Sequence, residues 1–246
     1  MEIAGKAAVV SGGGSGIGQA AVLALVARGA QVVVADIDAD AGRQTVALAA
    51  EKGGTAVFAR CDVTKTEDLT GAFASAVERF GLLQIVFNNA GIIGEDLFAD
   101  DPGDWERVIA VDLTAVINAT RLAVREMKRA GQGGVIINTA SLIGLGPMAE
   151  SPVYAAAKAG VVNFSRSLAY LAEASNIRVS TICPEIVDTP MARWVGEESL
   201  EALRRSGGIL TPEEVVAGVV ELIEDDTRAG AVMRITVRDG REYVTI

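Results

Sequence analysis

The sequence predicts a doubly wound α/β fold: a central parallel sheet of about seven strands with helices on both faces. Three observations carry this. Short apolar runs alternate with longer stretches of helical periodicity along the whole chain. The strand runs are apolar at successive positions, as in Val32-Val33-Val34, so both of their faces need cover, which fits a parallel sheet between two helical layers. And 246 residues, 50% of them hydrophobic, suit one domain with no internal repeat, low-complexity tract or linker to divide it.

Residues 7–11 (AAVVS) read as the first strand and run straight into a glycine-rich turn. Residues 16–28 follow as a helix, with Ala20, Leu23, Ala24 and Ala27 on one face and Gly29 where a helix C-terminus favours glycine. Residues 31–35 (QVVVA) are the second strand, 39–52 a helix stopped by Gly53-Gly54, and 55–59 the third strand. A helix over 66–80 leads to the fourth strand at 83–87 (LQIVF). Pro102 marks the next helix start. That helix runs to about residue 130, interrupted by β-branched residues near 111–114 and ended by Gly131-Gln132-Gly133-Gly134. A strand at 135–139 (VIINT), a helix over 152–174 and a strand at 178–182 (RVSTI) continue the alternation. Thr211-Pro212-Glu213-Glu214 opens a helix to residue 224 with acids in its first turn, and 231–237 is the last strand. The stretch 185–210 reads as irregular and too long for a plain connection, which makes it a candidate substrate lid.

Composition removes whole classes of function. The chain carries 22 Lys and Arg against 32 Asp and Glu, a net charge of −10. No nucleic-acid partner is expected, because a phosphate backbone needs clustered cations. No apolar run reaches the ~18 residues of a membrane span, and the N-terminus lacks a signal peptide's charged start and continuous apolar core. A cytoplasmic protein acting on a small molecule, with no membrane contact, is the expectation. Cys61 and Cys183 form no CxxC pair and read as buried thiols of a reducing compartment. There is no histidine at all. That excludes Ser-His-Asp and Cys-His catalysis and every His-ligated metal site, and no metal is expected. Acid–base chemistry near neutral pH must then come from a Tyr, Lys, Cys or carboxylate with a displaced pKa.

Ser11-Gly12-Gly13-Gly14-Ser15-Gly16-Ile17-Gly18 lies between the first strand and the first helix. Glycines there allow a tight turn and let the backbone approach a pyrophosphate, while the helix N-terminus offers free N–H groups and a positive dipole end. Asp36 ends the second strand, where a carboxylate accepts hydrogen bonds from ribose hydroxyls and repels a 2′-phosphate. No Arg or Lys stands between Gly12 and Gly18 or just after Asp36, which favours NAD over NADP.

The glycine spacing, G-x-x-x-G-x-G at Gly12, Gly16 and Gly18, resembles that of the short-chain dehydrogenases/reductases. The resemblance covers essentially the whole chain: Cys61-Asp62-Val63, Asn88-Asn89-Ala90-Gly91, Ser141 after the fifth strand, and Tyr154-Ala155-Ala156-Ala157-Lys158 in the next helix. It implies a Rossmann-like fold that binds NAD through Gly12, Ser15, Gly16, Ile17, Gly18, Asp36 and Ile37, with Asp62 and Val63 at the adenine. Asn89, Ala90, Gly91, Tyr154, Lys158, Pro184, Val187 and Thr189 complete the implied cofactor set, the Val187 backbone and Thr189 holding the carboxamide. It also implies a homodimer or homotetramer built on the helices near 102–130 and 152–174.

Tyr154 and Lys158 are four apart and share one helix face, and Ser141 lies at the carboxyl end of the fifth strand, where ligands of doubly wound sheets bind. A free Tyr, with a pKa of about 10, is a poor base at neutral pH. A nearby ammonium and a bound nicotinamide cation both favour the phenolate. Tyr154 would then take the hydroxyl proton of an alcohol, Lys158 would lower the Tyr pKa and hold the nicotinamide ribose, and Ser141 would orient the substrate oxygen. The family assigns its Ser, Tyr and Lys the same roles. The expected reaction is hydride transfer between NAD and a secondary alcohol or ketone.

Two positions depart from the family's pattern. Where the family has an Asn that anchors a water relaying protons to the Lys, this chain has Asp112, which when ionised accepts but cannot donate, and adds negative charge near Lys158. Where the family reads Pro-Gly, this chain reads Pro184-Glu185, and Glu185 is expected to narrow the site or weaken cofactor binding. The second half resembles the NAD-dependent 15-hydroxyprostaglandin dehydrogenases of the family, through 141–146 (SLIGLG), Pro152-Val153-Tyr154, Ile182-Cys183-Pro184 and 222–236. Ser151 stands where those enzymes have a substrate-facing Gln. This resemblance implies a lipid-like or hydroxy-fatty-acid-like secondary alcohol in a pocket of Ile93, Leu142, Ser151, Glu185, Met191 and Trp194, with Ile92 and Val195 as further apolar walls. Two other readings stay open. One is an NADPH-dependent carbonyl or 3-oxoacyl carrier protein reductase, which Asp36 opposes. The other is a non-catalytic NAD-binding regulator, which Asp112 and Glu185 motivate.

Overall fold

The apolar runs assemble into one eight-stranded sheet in the computed structural model, which describes residues 1–94 and 103–245. The strands are β1 (Ala7–Ser11), β2 (Gln31–Asp36), β3 (Thr55–Arg60), β4 (Ile85–Asn88), β5 (Gly134–Thr139), β6 (Ile177–Pro184), β7 (Val232–Thr236) and β8 (Gly240–Tyr243). Their order across the sheet is β3-β2-β1-β4-β5-β6-β7-β8, parallel throughout except for the β7–β8 pair. Strand order reverses between β1 and β4, and this switch point opens a crevice at the carboxyl ends of the strands.

The helices are α1 (Gly16–Val26), α2 (Ala39–Glu51), α3 (Thr66–Phe80), α4 (Trp105–Ile109), α5 (Ala115–Ala130), α6 (Pro152–Ser167), α7 (Leu171–Ser175), α8 (Glu197–Ser206) and α9 (Pro212–Glu224). Alternation along β1 shows why its residues from Ala7 to Val10 are all apolar. Ala8 and Val10 pack with Val22 and Leu25 of α1 and Val219 of α9, whereas Val9 packs with Phe73 of α3 and Ala123 of α5. Arg178, buried near the start of β6, donates to the Leu222 and Ile223 carbonyls at 2.8 and 2.7 Å, giving the last turn of α9 a cation where its dipole is negative. Among the described residues no helix is long and apolar enough to cross a membrane.

The structure adds to the sequence reading at four places. The eighth strand follows the Asp239-Gly240 turn, a hairpin signal, but all four of its residues are exposed and polar-rich, so no apolar run announces it. The helix expected over 152–174 is two, α6 and α7, separated by tight turns in which Leu168 N–H bonds Ser165 O and Ala169 N–H bonds Arg166 O. The bend lets Leu171 drop into the core. The interruption expected near 111–114 is a π-helical turn, Ala110–Thr114, which joins α4 to α5 without breaking the helix. Pro102 lies outside the described residues; within them, Asp104 caps α4 by accepting the Arg107 N–H at 3.0 Å. Finally, the stretch 185–210 is not irregular. It holds a 3₁₀ helix, Pro190–Val195, and α8, and it is pinned where Val187 bridges to Leu210.

Candidate active site

The glycine loop is shaped by contacts that leave no room for side chains. A Cβ at Gly18 would collide with the Gly12 carbonyl, and this closeness brings α1 tightly onto the end of β1. Gly16 has φ +51°, and a Cβ there would lie 2.9 Å from the Thr189 methyl. The loop is tied sideways as well. Ser11 Oγ accepts the N–H groups of Asn89 and Ala90 at 3.0 and 3.2 Å, joining the ends of β1 and β4.

A cleft of about 540 Å³ runs along these carboxyl ends. Loops after β1 to β4 supply Gly12, Ser15, Gly16, Ile17, Asp36, Ile37, Asp62, Val63, Asn89, Ala90, Gly91 and Ile93 to its wall. The segments after β5 and β6 supply Ser141, Leu142, Tyr154, Lys158, Pro184, Glu185, Val187, Thr189, Met191 and Trp194. Three sequence-predicted residues stand off the wall. Gly18 sits beneath the loop, and Asp112 lies fully buried behind Lys158. Ser151 is 2% exposed and its hydroxyl donates to the Gly94 carbonyl at 3.2 Å, so it serves the loop after β4 and not the substrate space.

Ser141, Tyr154 and Lys158 converge. Ser141 caps the short 3₁₀ turn Leu142–Leu145 by accepting the Ile143 N–H at 3.3 Å. The Lys158 ammonium lies 5.4 Å from the Tyr154 ring centroid and donates to the Thr139 carbonyl at 3.1 Å. It stands 3.8 Å from Asp112 Oδ1. Burial pushes the Tyr154 phenol above its ordinary value of 10.0, and the anion of Asp112 adds to this, while Lys158 and a hydrogen bond with Ser141 pull it down. The net displacement is upward. The neighbouring ammonium thus falls short of making a phenolate at neutral pH by itself, and the expectation joined to it the cation of a bound nicotinamide. Burial also raises Asp112, against Lys158 and the Ile92 N–H that Oδ1 accepts at 3.0 Å.

Glu185 stands in the cleft wall with its main chain and carboxylate both engaged. Its N–H continues the β6–β7 ladder to Ile235 O, and its carboxylate turns away along the sheet edge to accept the Val237 N–H at 3.1 Å. The segment above the cleft is braced from outside by Arg204, which grips Asp188 through two hydrogen bonds of 3.0 and 2.8 Å. Its apolar side chains Met191 and Trp194 remain 40% and 46% exposed at the cleft.

Residues 6–199 match the family model for short chain dehydrogenases. The chain belongs to the short-chain dehydrogenase family. It is therefore an oxidoreductase of CH–OH groups. It is 36% identical to the mouse "15-hydroxyprostaglandin dehydrogenase [NAD(+)]" over 260 residues, covering 99% of this chain and 94% of that one. It is 40% identical over 225 residues to the "3-alpha-(or 20-beta)-hydroxysteroid dehydrogenase" of Mycobacterium bovis, covering 91% and 84%. A crystal structure of a short-chain type dehydrogenase/reductase from Mycobacterium marinum superposes with a TM-score of 0.87 at 28% identity, covering 96% of each chain.

Sequence reasoning missed two parts of this short-chain dehydrogenase site. Arg107 and Val111, one turn apart on the helix that carries Asp112, also line the cleft; their i, i+4 spacing was the available signal. Beneath the cleft, Asn138 donates to Ser165 Oγ at 2.9 Å and accepts from Asn88 at 2.8 Å, in a fully buried polar network that sequence spacing does not reveal.

Proposed function

We propose that the chain is an NAD-dependent dehydrogenase of apolar secondary alcohols, or a reductase of the matching ketones, with Tyr154 as proton acceptor. The observation that carries this reading is the meeting of Ser141, Tyr154 and Lys158 with the glycine loop and Asp36 in one cleft. Bare backbone at Gly12, where a Cβ would press on Ala90 Cα at 2.9 Å, fits a pyrophosphate. Ser15 makes no side-chain cap on α1, so the first N–H groups of that helix are not taken by it and suit the same phosphates. The Asp36 carboxylate would select NAD over NADP by accepting from the ribose hydroxyls. Ile37, Asp62 and Val63 would hold the adenosine, with Asn89, Ala90, Gly91, Pro184, Val187 and Thr189 along the rest of the cofactor.

Bound NAD supplies the hydride acceptor. The chain's own residues move the proton. Ser141 holds the substrate oxygen by its hydroxyl, and Tyr154 takes the hydroxyl proton from that oxygen, or returns it in the reductive direction. Lys158, with its ammonium 5.4 Å from the Tyr154 ring centroid, stabilises the phenolate. Ile93, Leu142, Met191 and Trp194 give the substrate an apolar wall, which supports a lipid-like alcohol, and the helical stretch 185–210 would cover it. The whole chain would act as one cofactor-binding domain. Exposed Ile117 on α5 and Tyr170 just after α6 support a homo-oligomer through those helices. Free buried thiols at Cys61 and Cys183 support a cytoplasmic setting.

A panel of apolar secondary alcohols assayed with NAD and with NADP tests the reading. Wild type should reduce NAD, and Tyr154→Phe should lose on the order of 10² to 10⁴ in turnover while still binding NAD. Strong activity with NADPH and little with NADH would instead favour a carbonyl reductase. No turnover in either protein, with NAD binding intact, would favour a regulator.

A further inference from the structure

Asp112 is the one acid among the described residues that is wholly shielded from solvent. Its Oδ1 accepts the Ile92 N–H and faces Lys158, but its Oδ2 is buried with no hydrogen-bond partner. Gly91 closes over the carboxylate so tightly that a Cβ there would lie 2.9 Å from Oδ1. From α6 the groups facing this corner are the Lys158 ammonium and, beyond it, the Tyr154 phenol. β5 presents only the Thr139 carbonyl to the ammonium, and β6 the Cys183 thiol, which burial pushes up to about 12 and so leaves neutral. Arg107, on the same helix as Asp112, lines the cleft and faces Asp62.

An anion beside a cation cancels much of the cation's field at a third group. We propose that Asp112 is a positioning residue which, as an anion beside Lys158, opposes the ammonium's pull on the Tyr154 phenol and so sets the pH at which the base forms. This rests on the reading of Tyr154 as proton acceptor. Charge and placement agree in direction, since Lys158 pulls the phenol down and Asp112 pushes it up. An amide of the same shape would keep the acceptor for the Ile92 N–H and remove the opposing charge.

The test reads the phenol directly, without turnover, so its failure is separate from failure of the dehydrogenase reading. The chain has 3 tyrosines, and subtracting the ultraviolet titration of Tyr154→Phe from that of the intact protein isolates Tyr154. Asp112→Asn should lower the pH of Tyr154 ionisation by about one unit. Asp112→Ser, a smaller neutral acceptor, should move it the same way if the amide does not fold. A Tyr154 titration in Asp112→Asn or Asp112→Ser at or above the wild-type pH overturns the proposal.

Discussion

The Asp36 carboxylate accepts the Gly14 N–H at 2.7 Å through one oxygen and the Asp38 N–H at 2.9 Å through the other. Two main-chain donors thus fix a negative charge at the edge of the glycine loop. A fixed carboxylate there disfavours a 2′-phosphate by repulsion and favours free ribose hydroxyls by accepting from them. Asp36→Ala should lower the ratio of kcat/KM for NAD over NADP by about tenfold or more, since a hydrogen bond to a charged group contributes roughly 1.5–3 kcal/mol. Steady-state kinetics with both cofactors reads the ratio, and an unchanged value would remove Asp36 as the selector.

The upward displacement of Tyr154 has a signed consequence for pH. Its phenol keeps its proton at neutral pH, and the base form grows as pH rises. Alcohol oxidation should therefore increase into the alkaline range. Ketone reduction, which needs the phenol proton, should hold at lower pH and decline as that proton is lost. Profiles of kcat/KM against pH in both directions check this, and an oxidative maximum near pH 6 would count against Tyr154 as base.

The Glu185 carboxylate is engaged by the Val237 N–H, away from the glycine loop. Replacing it with the smaller Glu185→Gly should leave NAD affinity within about twofold. Stability should fall by about 1 kcal/mol, the contribution of one hydrogen bond at a partly exposed edge. Calorimetric titration with NAD and a urea melt measure the two quantities. A large gain in NAD affinity would show that the side chain crowds the cofactor after all.

Asn138→Ala should be costly although Asn138 does not itself line the cleft. The side chain is fully buried, and its loss leaves a cavity and takes one partner each from the Asn88 amide, which keeps Thr120, and the Ser165 hydroxyl, which keeps the Val161 carbonyl. A loss of roughly 2–3 kcal/mol in a denaturant melt is expected. A change below about 0.5 kcal/mol would mean that water replaces the amide.

Much of this was legible in the amino-acid sequence because apolar continuity and glycine placement are local signals. Ala7 to Ser11 and the glycine loop after it need no knowledge of distant residues. The strand Gly240–Tyr243 was not legible, because an exposed edge strand carries no buried face and so no pattern. At the site, the four-residue step from Tyr154 to Lys158 fixed their common face. What spacing did not convey was burial. Depth decides that Tyr154 is displaced upward, that Ser151 turns to Gly94 and that Glu185 turns to Val237. Each of these depends on neighbours from remote segments.

The π-helical turn Ala110–Thr114 gives the helix that carries Asp112 one residue more than regular winding would use. Each residue of an α-helix advances the winding by about 100°. Removing Leu113 or Thr114, between Asp112 and α5, would therefore swing Asp112 off its line to Lys158 while α5, with Ala119, Ala123 and Met127 against the sheet, stayed in place. The acid at this site is aimed by a residue count. A single-codon deletion there would re-address the chemistry and leave α5 seated on the sheet.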